Sequence, residues 1–208
     1  MIFKEMIDEV DLIVKDDSLT SQIPFVINDI LQLAINEHKI PSLKLPMVVP
    51  TVVGQSWANF PSGFFGSLLY AATPNGEVTI AKSGLIELMG DEPELDDEGD
   101  VEKVAQEGSV LWYRKRPSGA TNIIILGYKS PNPLVTPNDT PSYVPDYLHR
   151  WILVYGASAH LWGIKEEGVE GSKPNTVNYL NLFTQGLNML GTWVGSQKKH
   201  SARSVWNR

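Results

Sequence analysis

The sequence predicts an α+β fold: a helical bundle built from N- and C-terminal helices, with a small antiparallel β domain inserted between them and an extended C-terminal tail. Three observations predict it. Apolar residues recur at three- and four-residue spacing near both ends of the chain. Between about Met47 and Ser130 that period gives way to short β-prone runs divided by Gly, Pro and Asn. The last residues, SQKKHSARSVWNR, carry Lys198, Lys199, Arg203 and Arg208 and no acid, on a chain of net charge −7.

The first helix places Phe3, Met6, Ile7, Val10, Ile13 and Val14 on one face. KDDSLTS interrupts it, because Asp, Ser and Thr side chains compete for backbone hydrogen bonds in turns and caps. A second helix starts near Ser21 with Pro24 in its first turn, where a missing N–H costs nothing. Ile23, Ile27, Ile30, Leu31 and Ala34 share its face, and Pro41 and Pro46 end the segment, so residues 1–45 form the N-terminal part of the bundle. Residues 46–130 form the inserted β domain, with strands in MVVPTVV, GSLLYAA, GEVTIAK, SVLWYRKR and TNIIILGYKS. KRPSGATN between the last two reads as a long hairpin connection.

Residues 131–145 hold Pro131, Pro133, Pro137, Pro141 and Pro145 and read as an extended, semi-rigid strap. The C-terminal helices occupy 146–195. Pro145 and Asp146 suit the start of the third, and Leu148, Trp151, Ile152, Tyr155, Ala159 and Trp162 form its apolar stripe. After the polar loop KEEGVEGSKPN, a fourth helix carries Leu180, Phe183, Leu187, Leu190 and Val194. Residues 196–208 are the basic tail.

Composition removes whole classes of chemistry. There is no cysteine, which excludes disulfides, thiolate metal sites and cysteine nucleophiles. MIFKEMIDEV has acids where a secretory signal needs basic and then apolar residues, and WILVYGASAHLW is too short and polar to span a bilayer. The acidic balance argues against a nucleic-acid coat. His38, His149, His160 and His200 form no metal-binding motif and read as cap or surface residues. GASAH around Ser158 lacks the last glycine of a nucleophile elbow. The acidic loop 91–102, with eight acids in twelve residues, reads as solvated, with a weak cation site as the alternative; measured from Glu94 it puts Gly99 in the sixth place of a calcium loop but Ala105 in the twelfth, where a bidentate carboxylate belongs. No catalytic residue, cofactor or metal ligand is expected.

One stretch departs from an ordinary surface helix. From Pro174 to Gln197 there is no Asp, Glu, Lys, Arg or His, and Asn178, Asn181, Gln185 and Asn188 stand where Lys and Glu would be usual. Depletion of charge marks either an interface between subunits or a helix buried among its own neighbours. Gly186 and Gly191, each costing about 1 kcal/mol in a helix interior, suit the close approach of another backbone.

SVLWYRKRPSGATNIIILGYKSPNPLV, VPDYLHRWILVYGASAHLW, NTVNYLNLFTQGLNMLGTW and the basic tail, with IPFVINDILQLAINE near the front, together resemble the head-to-tail adaptor proteins of short-tailed bacteriophages. The acidic stretch 91–102 has no counterpart in that pattern. The resemblance implies a structural virion protein without enzymatic activity: a ring of twelve copies in the neck, assembled in the host cytoplasm, joining the portal protein to the tail nozzle protein and closing the DNA-filled head. It implies no membrane, DNA only as the passing genome, and an outer face open to tail fibres. It further implies that the tail docks in the portal, through Lys198, Lys199, Arg203, Val205, Trp206 and Arg208, and that the last two helices pack the ring. Asn178, Asn181, Gln185, Asn188, Tyr155 and Trp162 are the candidates for contact between subunits. Two other classes stand beside this reading. One is a monomeric module whose β domain grips a glycan or small ligand through GFFGSLLY and VLWYRKR; the other is a hydrolase using carboxylates of the acidic loop.

Overall fold

The structure, a computed structural model, describes residues 1–167 and 173–205, with side chains as far as Gln197. The chain is mixed α+β and divides into two compact units, Met1–Ser42 with Asn132–Arg208, and Leu43–Pro131.

The first unit is helical. α1 (Phe3–Val14) buries Phe3, Met6, Val10 and Val14, the stripe its spacing predicts, and stops where Lys15 turns left-handed at φ 49° and donates its N–H to Asp11 O. α2 (Ile23–His38) buries Ile23, Val26, Ile27, Leu31, Ala34 and Ile35 and ends in the same way at Lys39. A third helix, α3 (Leu85–Asp91), belongs to the other unit. After the proline strap come a 3₁₀ turn (Asp146–Leu148), one π-helical turn (Arg150–Val154), α4 (Tyr155–Lys165) and α5 (Pro174–Val205). α4 packs on α1, α2 and α5. The single long helix expected from Asp146 is thus three segments, and the last helix continues past 195 to Val205. Trp206, Asn207 and Arg208 lie outside the described residues.

The strap is tied down by its backbone. The N–H groups of Phe3 and Lys4, two donors at the start of α1 that no helical carbonyl can satisfy, reach Asp139 O at 2.8 Å and Pro137 O at 3.0 Å. Asp139 in turn accepts the N–H groups of Val135 and Thr136 and the Thr136 hydroxyl. Further along, Leu134, Val144 and Leu148 are buried.

The second unit is two four-stranded sheets. The first has the order β1 (Lys44–Pro50), β8 (Asn122–Lys129), β3 (Phe64–Thr73), β4 (Gly76–Glu77), all antiparallel. The second has the order β2 (Trp57–Asn59), β7 (Val110–Arg114), β6 (Lys103–Glu107), β5 (Thr79–Ile80), in which β5 and β6 run parallel. Alternate residues of both sheets fill one core: Val49, Ile123 and Ile125 from the first, Val104, Leu111 and Tyr113 from the second, none of them exposed. α3 covers the outer side of the second sheet through Leu88, with Leu95, Ala81 and Ala105. β3 changes register between Phe65 and Tyr70, and Gln106 satisfies the backbone freed there, accepting Leu68 N–H at 2.7 Å and donating to Gly66 O at 2.8 Å.

Two expectations are corrected here. KRPSGATN does not join a hairpin, because β7 and β8 lie in different sheets, each with both edges already paired. The connection runs beside the acidic stretch instead, where Arg116 N–H bonds Asp97 O and Gly99 N–H bonds Arg116 O. Nor is the run 91–102 merely a solvated loop. Asp91 closes α3; Glu92, Leu95 and Val101 are buried; and Lys103, Arg114 and Lys115 pair with Asp91, Glu92 and Glu102.

Candidate functional site

The uncharged stretch folds into α5, and the helix begins under unusual control. Glu166, at the end of α4, places its carboxylate over the α5 N-terminus. One oxygen accepts Asn175 N–H and its side-chain amide; the other accepts Thr176 N–H at 3.2 Å and the Thr176 hydroxyl at 2.6 Å. These bonds, the Thr176 hydroxyl foremost, hold the Glu166 carboxyl below its ordinary pKa. A negative group there also meets the positive end of the helix dipole.

One side of α5 is committed to the chain's own core. Phe183, Leu190 and Val194 are buried. Gly186 lies against Trp151 so closely that a Cβ would stand 3.0 Å from the Trp151 carbonyl carbon and oxygen, and Gly191 faces the His38 ring. The close backbone approach foreseen for these glycines is therefore made within the chain. Tyr155 and Trp162, both half-buried, also serve this side. The Tyr155 ring stands edge-on to Trp151, 5.7 Å between centroids, and 5.9 Å from Tyr179 of α5. Lys165 Nζ sits 4.7 Å over the Trp162 ring while donating to Val14 O.

The opposite side of α5 is open. Asn178, Asn181, Gln185 and Asn188 are exposed, and so are Val177 (54%), Leu180 (49%) and Met189 (39%). At 100° per residue, Val177, Asn181, Thr184 and Asn188 fall along the centre of this face. Leu180 is a correction: it leaves the expected buried stripe because its direction is 60° round from that of Phe183, toward Thr184. The apolar members Val177 and Met189 were missed because helical spacing reads a leucine or valine as core. Their signal is the surrounding absence of charge.

Lys198, Lys199, Arg203 and Val205 continue the α5 backbone, and their side chains lie outside the described residues, as do Trp206 and Arg208. Of the histidines, His149 corrects its surface reading. It is fully buried, with Nε2 2.9 Å from Val144 O and Nδ1 3.1 Å from the Met1 amino nitrogen. Burial above all pushes its pKa down, and the Met1 charge adds to this. The neutral ring with Nε2–H donating to Val144 fits both contacts. His160 is exposed, and Ser158 is buried inside α4 away from any histidine bond.

The stretches proposed for ligand binding do not converge. Trp112 and Arg116 line a cleft of about 410 Å³ with Trp57, Met89 and Leu95. Phe64, Phe65 and Gly66 line another of about 380 Å³. No helix among the described residues is long and apolar enough to cross a membrane. In comparison with protein families, the one described as SU10 adaptor protein matches residues 1–207. No curated protein matches the chain.

Proposed function

Because the chain belongs to the SU10 adaptor protein family, a family of bacteriophage structural adaptors, we propose that it forms a ring in the neck of the virion, joining the portal protein to the tail nozzle and closing the DNA-filled head. The observation that carries this reading is the open face of α5: three exposed large apolar residues among uncharged amides and hydroxyls on a helix anchored firmly along its other side. A face of this composition suits the desolvated centre of a contact between subunits, where unpaired charge is costly and amide side chains bond in pairs. The ring performs no catalysis in this reading. The outer surface of the ring is left open to tail fibres in this reading.

The basic tail supplies the joint to the portal. Lys198, Lys199, Arg203 and Arg208 steer it toward acidic surface, and Val205 and Trp206 contribute apolar area, with a fully buried large side chain worth roughly 1.5–3 kcal/mol. Repetition around a ring multiplies that contribution through avidity.

The test of the ring face is Asn181→Lys with Asn188→Glu. Both positions are exposed, so the variant keeps the far-UV dichroism and melting temperature of the wild type, yet fails to assemble on portal-bearing heads. Wild-type assembly by this variant removes α5 as the contact. A separate variant lacking residues 196–208 tests the tail: it stays folded and no longer retains DNA in heads that lack adaptor. Heads sealed as well as by the wild type place the docking surface elsewhere.

A further inference from the structure

The acidic run contains a group that its surroundings leave incomplete. Glu92 follows α3 and is only 8% exposed. Its Oε1 accepts Asp97 N–H at 2.6 Å. Its Oε2 is buried and has no hydrogen-bond partner among the described residues. Arg114 Nε stands 3.8 Å from it, beyond hydrogen-bond reach, and is itself unpartnered. A buried carboxylate oxygen in this state costs free energy unless a cation completes it. Asp96 and Asp97 bring carboxylates to the same place: one oxygen from each of Glu92, Asp96 and Asp97 lies within 4.8 Å of the others. Arg114 offsets only part of this charge, because Asp91 shares it at 3.5 Å.

We propose that Glu92, Asp96 and Asp97 form a binding site for a hard divalent cation, Ca²⁺ in preference to Mg²⁺. All the donors are carboxylate oxygens, and no imidazole stands among them to favour zinc or copper. One ligand is buried and fixed, and two are exposed, so water completes the coordination, which Ca²⁺ accepts in irregular geometry and Mg²⁺ does not. With three protein carboxylates, two of them exposed, the dissociation constant falls on the order of 10⁻⁴–10⁻³ M. The calcium-loop spacing counted from Glu94 missed the site because the trio follows a corner instead. Leu95 takes φ 49°, and its carbonyl is held by Ser56 Oγ and by Arg116 Nε, which turns Asp96 and Asp97 back toward Glu92. Pro93, Glu94 and Leu95 are also one wall of the cleft that holds Trp57 and Trp112, so an ion in the trio fixes that wall.

The two tryptophans supply the readout. Purified protein is titrated with Tb³⁺, exciting tryptophan and following terbium emission, and its melting temperature is followed in CaCl₂ and MgCl₂ at constant ionic strength. Sensitised emission that Ca²⁺ displaces, and a saturable rise in melting temperature stronger with Ca²⁺ than with Mg²⁺, are expected. Asp96→Asn with Asp97→Asn weakens binding at least about tenfold through lost ligand charge. Glu92→Gln keeps the acceptor for Asp97 N–H and also loses the site. Glu98→Gln with Asp100→Asn removes the same charge outside the trio and leaves the affinity unchanged. Absence of both responses overturns the proposal. So does equal weakening by the two double variants, which would mean diffuse attraction to the acidic run. All of these measurements use the purified protein alone and stand apart from assembly on portal-bearing heads.

Discussion

The side-chain amide of Asn28 and the backbone of Leu134 exchange two hydrogen bonds: Leu134 N–H donates to Asn28 Oδ1 at 2.8 Å, and Asn28 Nδ2 donates to Leu134 O at 3.1 Å. One residue of α2 thus completes a buried point of the proline strap as a neighbouring strand would. Asn28→Leu keeps the branched heavy-atom shape but strands both backbone groups. It lowers unfolding free energy by about 1–3 kcal/mol, measured by urea denaturation. Asn28→Asp keeps the acceptor and loses the donor, and it sets a carboxylate against Leu134 O and Pro24 O; it is no better tolerated.

Glu166 makes stability depend on acid in a defined direction. Its folded pKa lies below the ordinary 4.5 because the Thr176 hydroxyl and the α5 N–H groups favour the carboxylate. The contribution is therefore complete above about pH 4.5 and is lost as the pH falls through the lower, folded value. Glu166→Gln melts below the wild type at neutral pH, and the gap narrows in acid. A gap that stays constant with pH would mean the charge is not what holds the helix start.

His149 shifts in the same direction as Glu166, toward weaker proton binding in the fold, but over a higher pH range. Its folded pKa is below 6.5, so the unfolded chain takes up the proton first. Stability is unaffected above about pH 6.5, declines as the pH falls from there to the folded value, and then levels off. The charged groups facing the ring are the Met1 amine at 3.1 Å and Asp146 at 3.7 Å. Denaturation midpoints for wild type and His149→Gln, compared between about pH 8 and pH 5, should converge toward the acid end.

Two glycines of α5 should answer oppositely to the same change. Gly195→Ala meets nothing within 4 Å and gains helix propensity, stabilising by about 0.5–1 kcal/mol. Gly186→Ala drives a methyl to 2.9–3.0 Å from Trp151 main-chain and Cβ atoms, which cannot swing aside, and destabilises by about 1–3 kcal/mol. Thermal unfolding of the two variants side by side checks both signs.

The helices of the first unit were legible because their signals are local, whereas the short α3 of the β unit was not read. The spacing of Phe3, Met6, Val10 and Val14, the proline near the start of α2 and the charge-free stretch of α5 each lie within one element. The β unit was legible in its strands but not in its pairing. Nothing in KRPSGATN tells that the chain changes sheets there, since that depends on partners for β7 and β8 far away in sequence. β2 and β6 escaped because WAN is three residues long and KVAQE follows directly on the acids. In the acidic run all the acids but Glu92 are exposed, as expected, but its anchoring by Leu95 and Val101 was not read from so few apolar residues. At the candidate site, the amides of α5 were found by what is absent around them, whereas the exposure of Leu180 needed the partner helices.

β1 and β8 pair along their whole length, Lys44 opposite Tyr128 and Pro50 opposite Asn122. The strands by which the backbone enters and leaves the β unit are therefore neighbours, with Lys44 and Tyr128 roughly 5 Å apart as paired residues are. Such an arrangement makes the unit a cassette. Excising residues 43–131 and bridging the cut with a few glycines leaves the helices free to find their own packing, while the excised piece keeps its ends clasped by its own ladder. Chimeras that exchange this cassette between adaptors would change what the adaptor presents without rebuilding the bundle that carries it.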